Sequence, residues 1–179
     1  LGQIQSAGAG VEQGYTGTSF GDVVAASGAP RGSIYHHFPG GKTQMMREAV
    51  GYAGDYTGRL LERASREHSP EEVVSGFIAV IKKTMAANDF RAGCPVAAVA
   101  VEDHPEAPEL EKAASDVFAS WTSTLAASLR RSGVPTARAR RLATMTVTSV
   151  EGAIMLCRAS RNTKALDDVG QELVELYRA

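Results

Sequence analysis

Between positions 31 and 42 the chain places Arg31, Ser33, Tyr35, His36, His37 and Lys42, and from Val23 to Arg47 it holds no Asp or Glu. Side chains of these types, gathered without acids among them, suit a polyanion. An Arg can pair bidentately with the edge of guanine, which separates one base from another by about 1–3 kcal/mol. Tyr, His and Lys suit phosphates, which position a protein on a duplex without reading its sequence. Gly32 and Ser33 keep the surface low, so the element that carries them can approach its target closely. Thr18 or Ser19, with the free N–H groups of a helix start, could hold one more phosphate. The expected contact set is Thr18, Ser19, Arg31, Gly32, Ser33, Tyr35, His36, His37 and Lys42, and the expected partner is double-stranded DNA.

The elements needed to present that set are legible in the same stretch. A short helix is predicted from about Ser19 to Ser27, with Thr18 or Ser19 as its N-cap. Asp22 falls in its first turn, where a negative charge suits the helix dipole. Gly28 is placed to end the helix in the left-handed conformation. Pro30 fits the first turn of a second helix, about 30 to 37, because it lacks only an N–H that would be orphaned there. Pro39-Gly40-Gly41 stops that helix, and Lys42 heads a longer one. In a helix-turn-helix the first short helix braces the second, whose side chains enter the major groove. Here Phe20, Val23 and Val24 are expected to pack under Ile34 and Phe38.

No stretch alternates apolar and polar residues with period two, and the breakers fall between helix-length segments, so the class is all-α. A thin first helix, about 2 to 13, carries Ile4, Ala7 and Val11 on one face. Further helices are predicted over 42–67 and, from the cap, proline and acids of Ser69-Pro70-Glu71-Glu72, over the segment that follows. The remainder are a short one around 96–102, long ones over 109–132 and 137–161 (capped by Thr136), and a last one over 164–178. Trp121 with Phe77, Ile81, Met85, Phe118, Leu125 and Met145 forms an apolar set. It is core in a solid domain and cavity lining in a hollow one.

The order T-S-F-x-x-V-V-x-x-S-G-x-x-x-G-S-I-Y-x-H-F-x-x-x-K, from Thr18 to Lys42, resembles the DNA-binding domain of TetR-family repressors. GCPVAAVAVEDHPE, at 93 to 106, is similar to a stretch in a subgroup with flavonoid- and multidrug-responsive members. The resemblance implies an N-terminal helix-turn-helix domain of three helices, residues 1–50, and a C-terminal helical ligand-binding and dimerisation domain, residues 51–179. It implies a homodimeric one-component repressor that binds a palindromic operator and is released by a small, mostly apolar effector. It also implies that the last two helices form a four-helix dimer interface, for which Ala143, Val147, Val150, Ala153, Ile154 and Cys157 offer a small-residue apolar stripe. The pocket would be lined by the apolar set around Trp121.

Composition fits this reading. The net charge is −1, so any basic surface must be local; Glu102, Asp103, Glu106, Glu109, Glu111 and Asp116 cluster instead against a single Lys112. HHFPGGKT ends like a phosphate-binding loop, but a Walker A motif needs glycine where His36 stands and a strand before it, so no nucleotide or other cofactor is expected. His36 and His37 point about 100° apart on a helix and converge poorly on a metal. Glu102-Asp103-His104 reads as a solvated acidic turn, since no nucleophile motif stands near it, and no enzyme activity is expected. Arg138, Arg140 and Arg141 read as a solvated face. Cys94 and Cys157 read as small buried apolar residues. The alternatives are a redox-sensing regulator working through Cys94 or Cys157, and a helical enzyme whose helix-turn-helix resemblance is incidental. No apolar run approaches the ~20 residues of a membrane helix and no basic-then-apolar leader opens the sequence, which makes the cytoplasm the expected compartment.

Overall fold

Caps and breakers set the helix boundaries. The computed structural model describes residues 14–28 and 30–178, with only the backbone of Ala26, Arg31 and Ser33. The helix expected over 2–13 lies outside the described residues. Every regular element among those described is an α-helix. They run α1 (Gly14–Gly17), α2 (Phe20–Ser27), α3 (Arg31–His37), α4 (Gly41–Glu67), α5 (Pro70–Ala87), α6 (Pro95–Ala100), α7 (Pro108–Arg131), α8 (Thr136–Ser160) and α9 (Lys164–Arg178).

Two starts are reciprocal capping boxes. Ser19 caps α2 with Asp22, and Ser69 caps α5 with Glu72, the serine oxygen accepting from the backbone three residues on and the carboxylate accepting from the serine N–H. Gly28 ends α2 at φ 65°, in the left-handed region expected of it. The start of α8 differs from expectation. Thr136 is the first helical residue rather than the cap; Pro135 holds the cap position at φ −56° and ψ 140°, and no side chain caps the helix. The proline's fixed φ is compatible with entry into a helix directly after it, so no hydroxyl is needed to set the boundary.

The chain forms two compact units. The first contains residues up to Tyr56 together with Cys94–Val117, the second Thr57–Gly93 with Phe118–Ala179. The boundary expected at 50/51 falls inside α4, and the first unit takes back residues 94–117. In the first unit Val23, Ile34, Phe38, Met45, Met46 and Val50 are buried, as are Val96, Val99 and Leu110 from the returning segment. In the second, α9 packs against both α5 and α8. There α9 contributes Leu166, Leu173 and Tyr177 to the core, α5 Val73, Val74 and Ile78, and α8 Leu142, Ala143, Ala153, Ile154 and Cys157.

That packing corrects the reading of α8. Of the stripe expected to face a second copy, Ala143, Ala153, Ile154 and Cys157 are buried inside the protomer, with Val147 and Val150 half-buried. The stripe therefore serves the protomer's own core. The apolar side chains left outside on α8 are Met145, Met155 and Leu156, the last two more than 60% exposed (63% and 62%).

Candidate nucleic-acid interface

α2 and α3 are in contact across a turn that begins at Gly28, whose N–H donates to the Val24 carbonyl at 3.0 Å. Val23, Ile34 and Phe38 are buried and Phe20 and Val24 half-buried, so the expected brace lies on the inner side of both helices. The outer side of α3 is polar. Tyr35 is 66% exposed, and its ring is steadied edge-on by Phe20 at 5.4 Å. His36 and His37 are exposed, their rings at a steep mutual angle of 73°. Gly32 is exposed too, and a Cβ added there would meet nothing within 4 Å. The side chains of Arg31 and Ser33 lie outside the described residues; their backbones form the first turn of α3.

One member of the expected set drops out. Thr18 is buried, 2% exposed, and its hydroxyl donates to the Gly14 carbonyl at 2.8 Å. It packs the start of the domain and cannot reach a phosphate. Ser19 is exposed, but its hydroxyl donates to Asp22 at 2.6 Å within the capping box. The hydrogen bonds from Ser19, side chain first and backbone second, hold the Asp22 carboxyl below its usual range, with the charge of Lys42 adding to them. The contact expected of the Ser19 hydroxyl is therefore taken by the protein's own carboxylate.

Lys42 follows Gly41, whose φ of 74° reverses the chain between α3 and α4. Its ammonium lies 4.4 Å above the centre of the Tyr15 ring. Tyr15 is itself fixed, its hydroxyl 3.2 Å from Thr43 Oγ1. Sequence reading missed this support, and it also misread what stands behind it. Glu102 and His104 are not a solvated turn. Glu102 Oε2 accepts from the Thr16 N–H at 2.9 Å and from the Thr16 hydroxyl at 3.1 Å. His104 is buried, 4% exposed, with Nε2 at 2.9 Å from the Val99 carbonyl and its ring edge-to-face with Tyr15 at 5.3 Å. The available signal was a histidine following an apolar helical run, since His is intermediate between the buried and the exposed residue types.

The expected pocket set is scattered in character. Met85, Trp121 and Leu125 are buried, Phe77, Ile81 and Phe118 half-buried, and Met145 is 40% exposed. Phe118 and Trp121 meet edge-to-face at 5.6 Å. A groove of about 340 Å³ lies elsewhere, between α5 and α9, and is lined by Ile78, Ala79, Lys82, Leu166, Gly170 and Val174 among others and by none of the expected set. Ile78 and Lys82, one turn apart on α5, line this groove together with residues of α9. Cys157 is fully buried and Cys94 half-buried.

Among known proteins, residues 11–49 match the family model described as bacterial regulatory proteins, tetR family. Residues 70–172, more than half of the chain, match the model described as transcriptional regulator LmrA/YxaF-like, C-terminal domain. An uncharacterized HTH-type transcriptional regulator of Mycobacterium tuberculosis is 40% identical over 174 residues, covering 94% of this chain and 88% of its own. A TetR transcriptional regulator from Legionella pneumophila shares the fold with a TM-score of 0.87 at 22% identity, covering 98% of this chain and 95% of its own. The regulator CifR, solved as a cysteine mutant complexed with 26-bp double-strand operator DNA, has a TM-score of 0.80 at 21% identity, over 97% of this chain and 93% of its own.

Proposed function

The chain belongs to the TetR family of bacterial transcriptional regulators, and from that premise we propose that it is a dimeric one-component repressor released from a palindromic operator by a small, mostly apolar effector. The observation that carries the DNA-binding part is Gly32. Glycine inside a helix costs about 1 kcal/mol against alanine, and among the described residues nothing lies within 4 Å of a Cβ added there. A low surface among exposed polar side chains leaves room for an object outside the chain. Around it stand Tyr35, His36 and His37 on the same exposed helix, with Lys42 at the next helix start. In this reading Arg31 and Ser33 reach base edges from the N-terminal end of α3 and the others hold phosphates. That a protein of the same fold, CifR, was solved with 26-bp double-strand operator DNA supports a duplex-DNA partner.

The dimer would form over the exposed face of α8 marked by Met145, Met155 and Leu156 rather than over the buried stripe, because two large side chains more than 60% exposed (63% and 62%) leave apolar area that a second copy can cover. The effector would be held by the buried Met85, Trp121 and Leu125 with the half-buried Phe77, Ile81 and Phe118, an aromatic and thioether lining suited to a flat apolar molecule. A redox-sensing alternative would rest on Cys94, since Cys157 has no exposed surface.

Selection of bound duplexes from a random-sequence pool tests the reading. The expected product is a palindrome whose half-sites are spaced by helical turns, with affinity falling steeply as salt rises. Arg31→Ala should then relax the preference at one base position, while Lys42→Ala weakens all sequences alike. Recovery of no common sequence, with binding indifferent to salt, would overturn it.

A further inference from the structure

A carboxylate held against a DNA-reading unit calls for a physical reason, because it repels the phosphates that a neighbouring lysine attracts. Glu102 is such a carboxylate. It is half-buried and accepts both donors of Thr16, the N–H at 2.9 Å and the hydroxyl at 3.1 Å, through the single oxygen Oε2. Space for it is made by Gly14, where an added Cβ would lie 1.8 Å from Glu102 Oε1 and where φ is +76°. Two residues further on, His104 is fixed by the Val99 carbonyl, and Val99 has no exposed surface. The segment that follows α6 thus grips adjacent residues of α1, Thr16 by hydrogen bonds and Tyr15 by a ring edge. Tyr15 in turn carries the Lys42 ammonium over its face.

We infer that Glu102, seconded by His104, is a positioning residue for DNA binding: it fixes the Tyr15–Thr16 pair and, through the Tyr15 ring, holds the Lys42 ammonium where it meets a phosphate. Lysine is a point charge on a flexible four-carbon stem, so its share of binding depends on what restrains that stem. The inference rests on the DNA-binding reading above. It separates from simple electrostatics by sign. Removing a negative charge near the reading head tightens DNA binding if charge is all that counts, whereas loss of the grip weakens it.

The test is a titration of mixed-sequence duplex DNA with the full chain at a series of salt concentrations, with thermal melting to confirm that each variant is folded. For Glu102→Ala the slope of log affinity against log salt should become shallower by up to about 0.9, the share of one phosphate contact, with roughly a tenfold loss of affinity at the lowest salt. Glu102→Gln should recover the wild-type slope, since an amide oxygen accepts both Thr16 bonds. Adding Lys42→Ala to Glu102→Ala should flatten the slope no further. Thr16→Val, an exposed change that keeps the backbone bond and the charge, should lose about two- to threefold. If the wild type binds and Glu102→Ala binds as tightly or more tightly, or if Thr16→Val leaves affinity and slope unchanged, the positioning role is overturned while the DNA-binding reading stands. A wild type with no salt-dependent DNA affinity overturns both.

Discussion

Gly54 and Gly51 lie on the same helix, α4, and the structure assigns them opposite responses to the same substitution. A Cβ built on Gly54 falls 2.3 and 2.7 Å from the two γ-carbons of Val117 and 3.1 Å from its β-carbon. Ordinary carbon contacts lie at about 3.5–4.0 Å, so the shortfall exceeds 1 Å, and turning the valine cannot relieve it because its β-carbon is also too near. Overpacking of this kind costs about 3 kcal/mol at the upper end, offset by about 1 kcal/mol gained from replacing a helical glycine. Gly54→Ala should therefore lose about 2 kcal/mol, or about 4–8 °C in melting temperature for a chain of this length. At Gly51 an added Cβ meets nothing within 4 Å. Gly51→Ala keeps the propensity gain alone and should be more stable by up to about 1 kcal/mol. Urea denaturation at one fixed protein concentration measures both, since a dimer's midpoint shifts with concentration. Gly54→Ala combined with Val117→Ala should be no less stable than Gly54→Ala alone, although two further methyls are gone. If Gly54→Ala matches Gly51→Ala, or if the double variant shows simple additivity, the close approach of α4 and α7 at this point is wrong.

Four further expectations use the same logic. Gly32→Ala should leave stability unchanged or higher by up to about 1 kcal/mol while weakening duplex binding; intact binding in an electrophoretic assay would remove α3 from the reading face. The Glu72 carboxyl is held below its ordinary 4.5 by the backbone and side chain of Ser69, so its folded value lies under its unfolded one. Its contribution is present above that ordinary value and lost as pH falls through the folded value, so Glu72→Gln should flatten the acid limb of a stability–pH curve just below pH 4.5. Burial raises the Tyr177 phenol above 10.0, against the hydrogen bond with Thr146 that pulls it down, so the folded state keeps a proton the unfolded chain releases. Stability is untouched below pH 10.0 and falls as pH rises past it; Tyr177→Phe should lose about 1 kcal/mol at neutral pH but not share that alkaline fall. Leu156→Glu should leave the fold intact by circular dichroism and yield monomers in sedimentation; an unchanged dimer would move the interface away from α8.

Helix positions were legible in the sequence because their determinants are local. A capping box spans three residues, as at Ser19 with Asp22 and Ser69 with Glu72, and a left-handed glycine such as Gly28 marks its own turn. The polar outer face of α3 was legible for the same reason, since helical spacing separates Tyr35 and His36 from Ile34 and Phe38. What covers a face was not. The stripe of Ala143, Ala153, Ile154 and Cys157 announces a close neighbour, but periodicity is the same whether that neighbour is α9 of the same chain or a second copy. Likewise Thr18 and Ser19 are equivalent caps on paper, and only packing buries the first and exposes the second. The support of Lys42 is the extreme case. Glu102 meets Thr16 across 86 positions of sequence, and no local pattern encodes a contact of that range. The types of residue proposed to touch DNA are thus set by the sequence around α3, while what supports Lys42 is decided by a segment that returns only on folding.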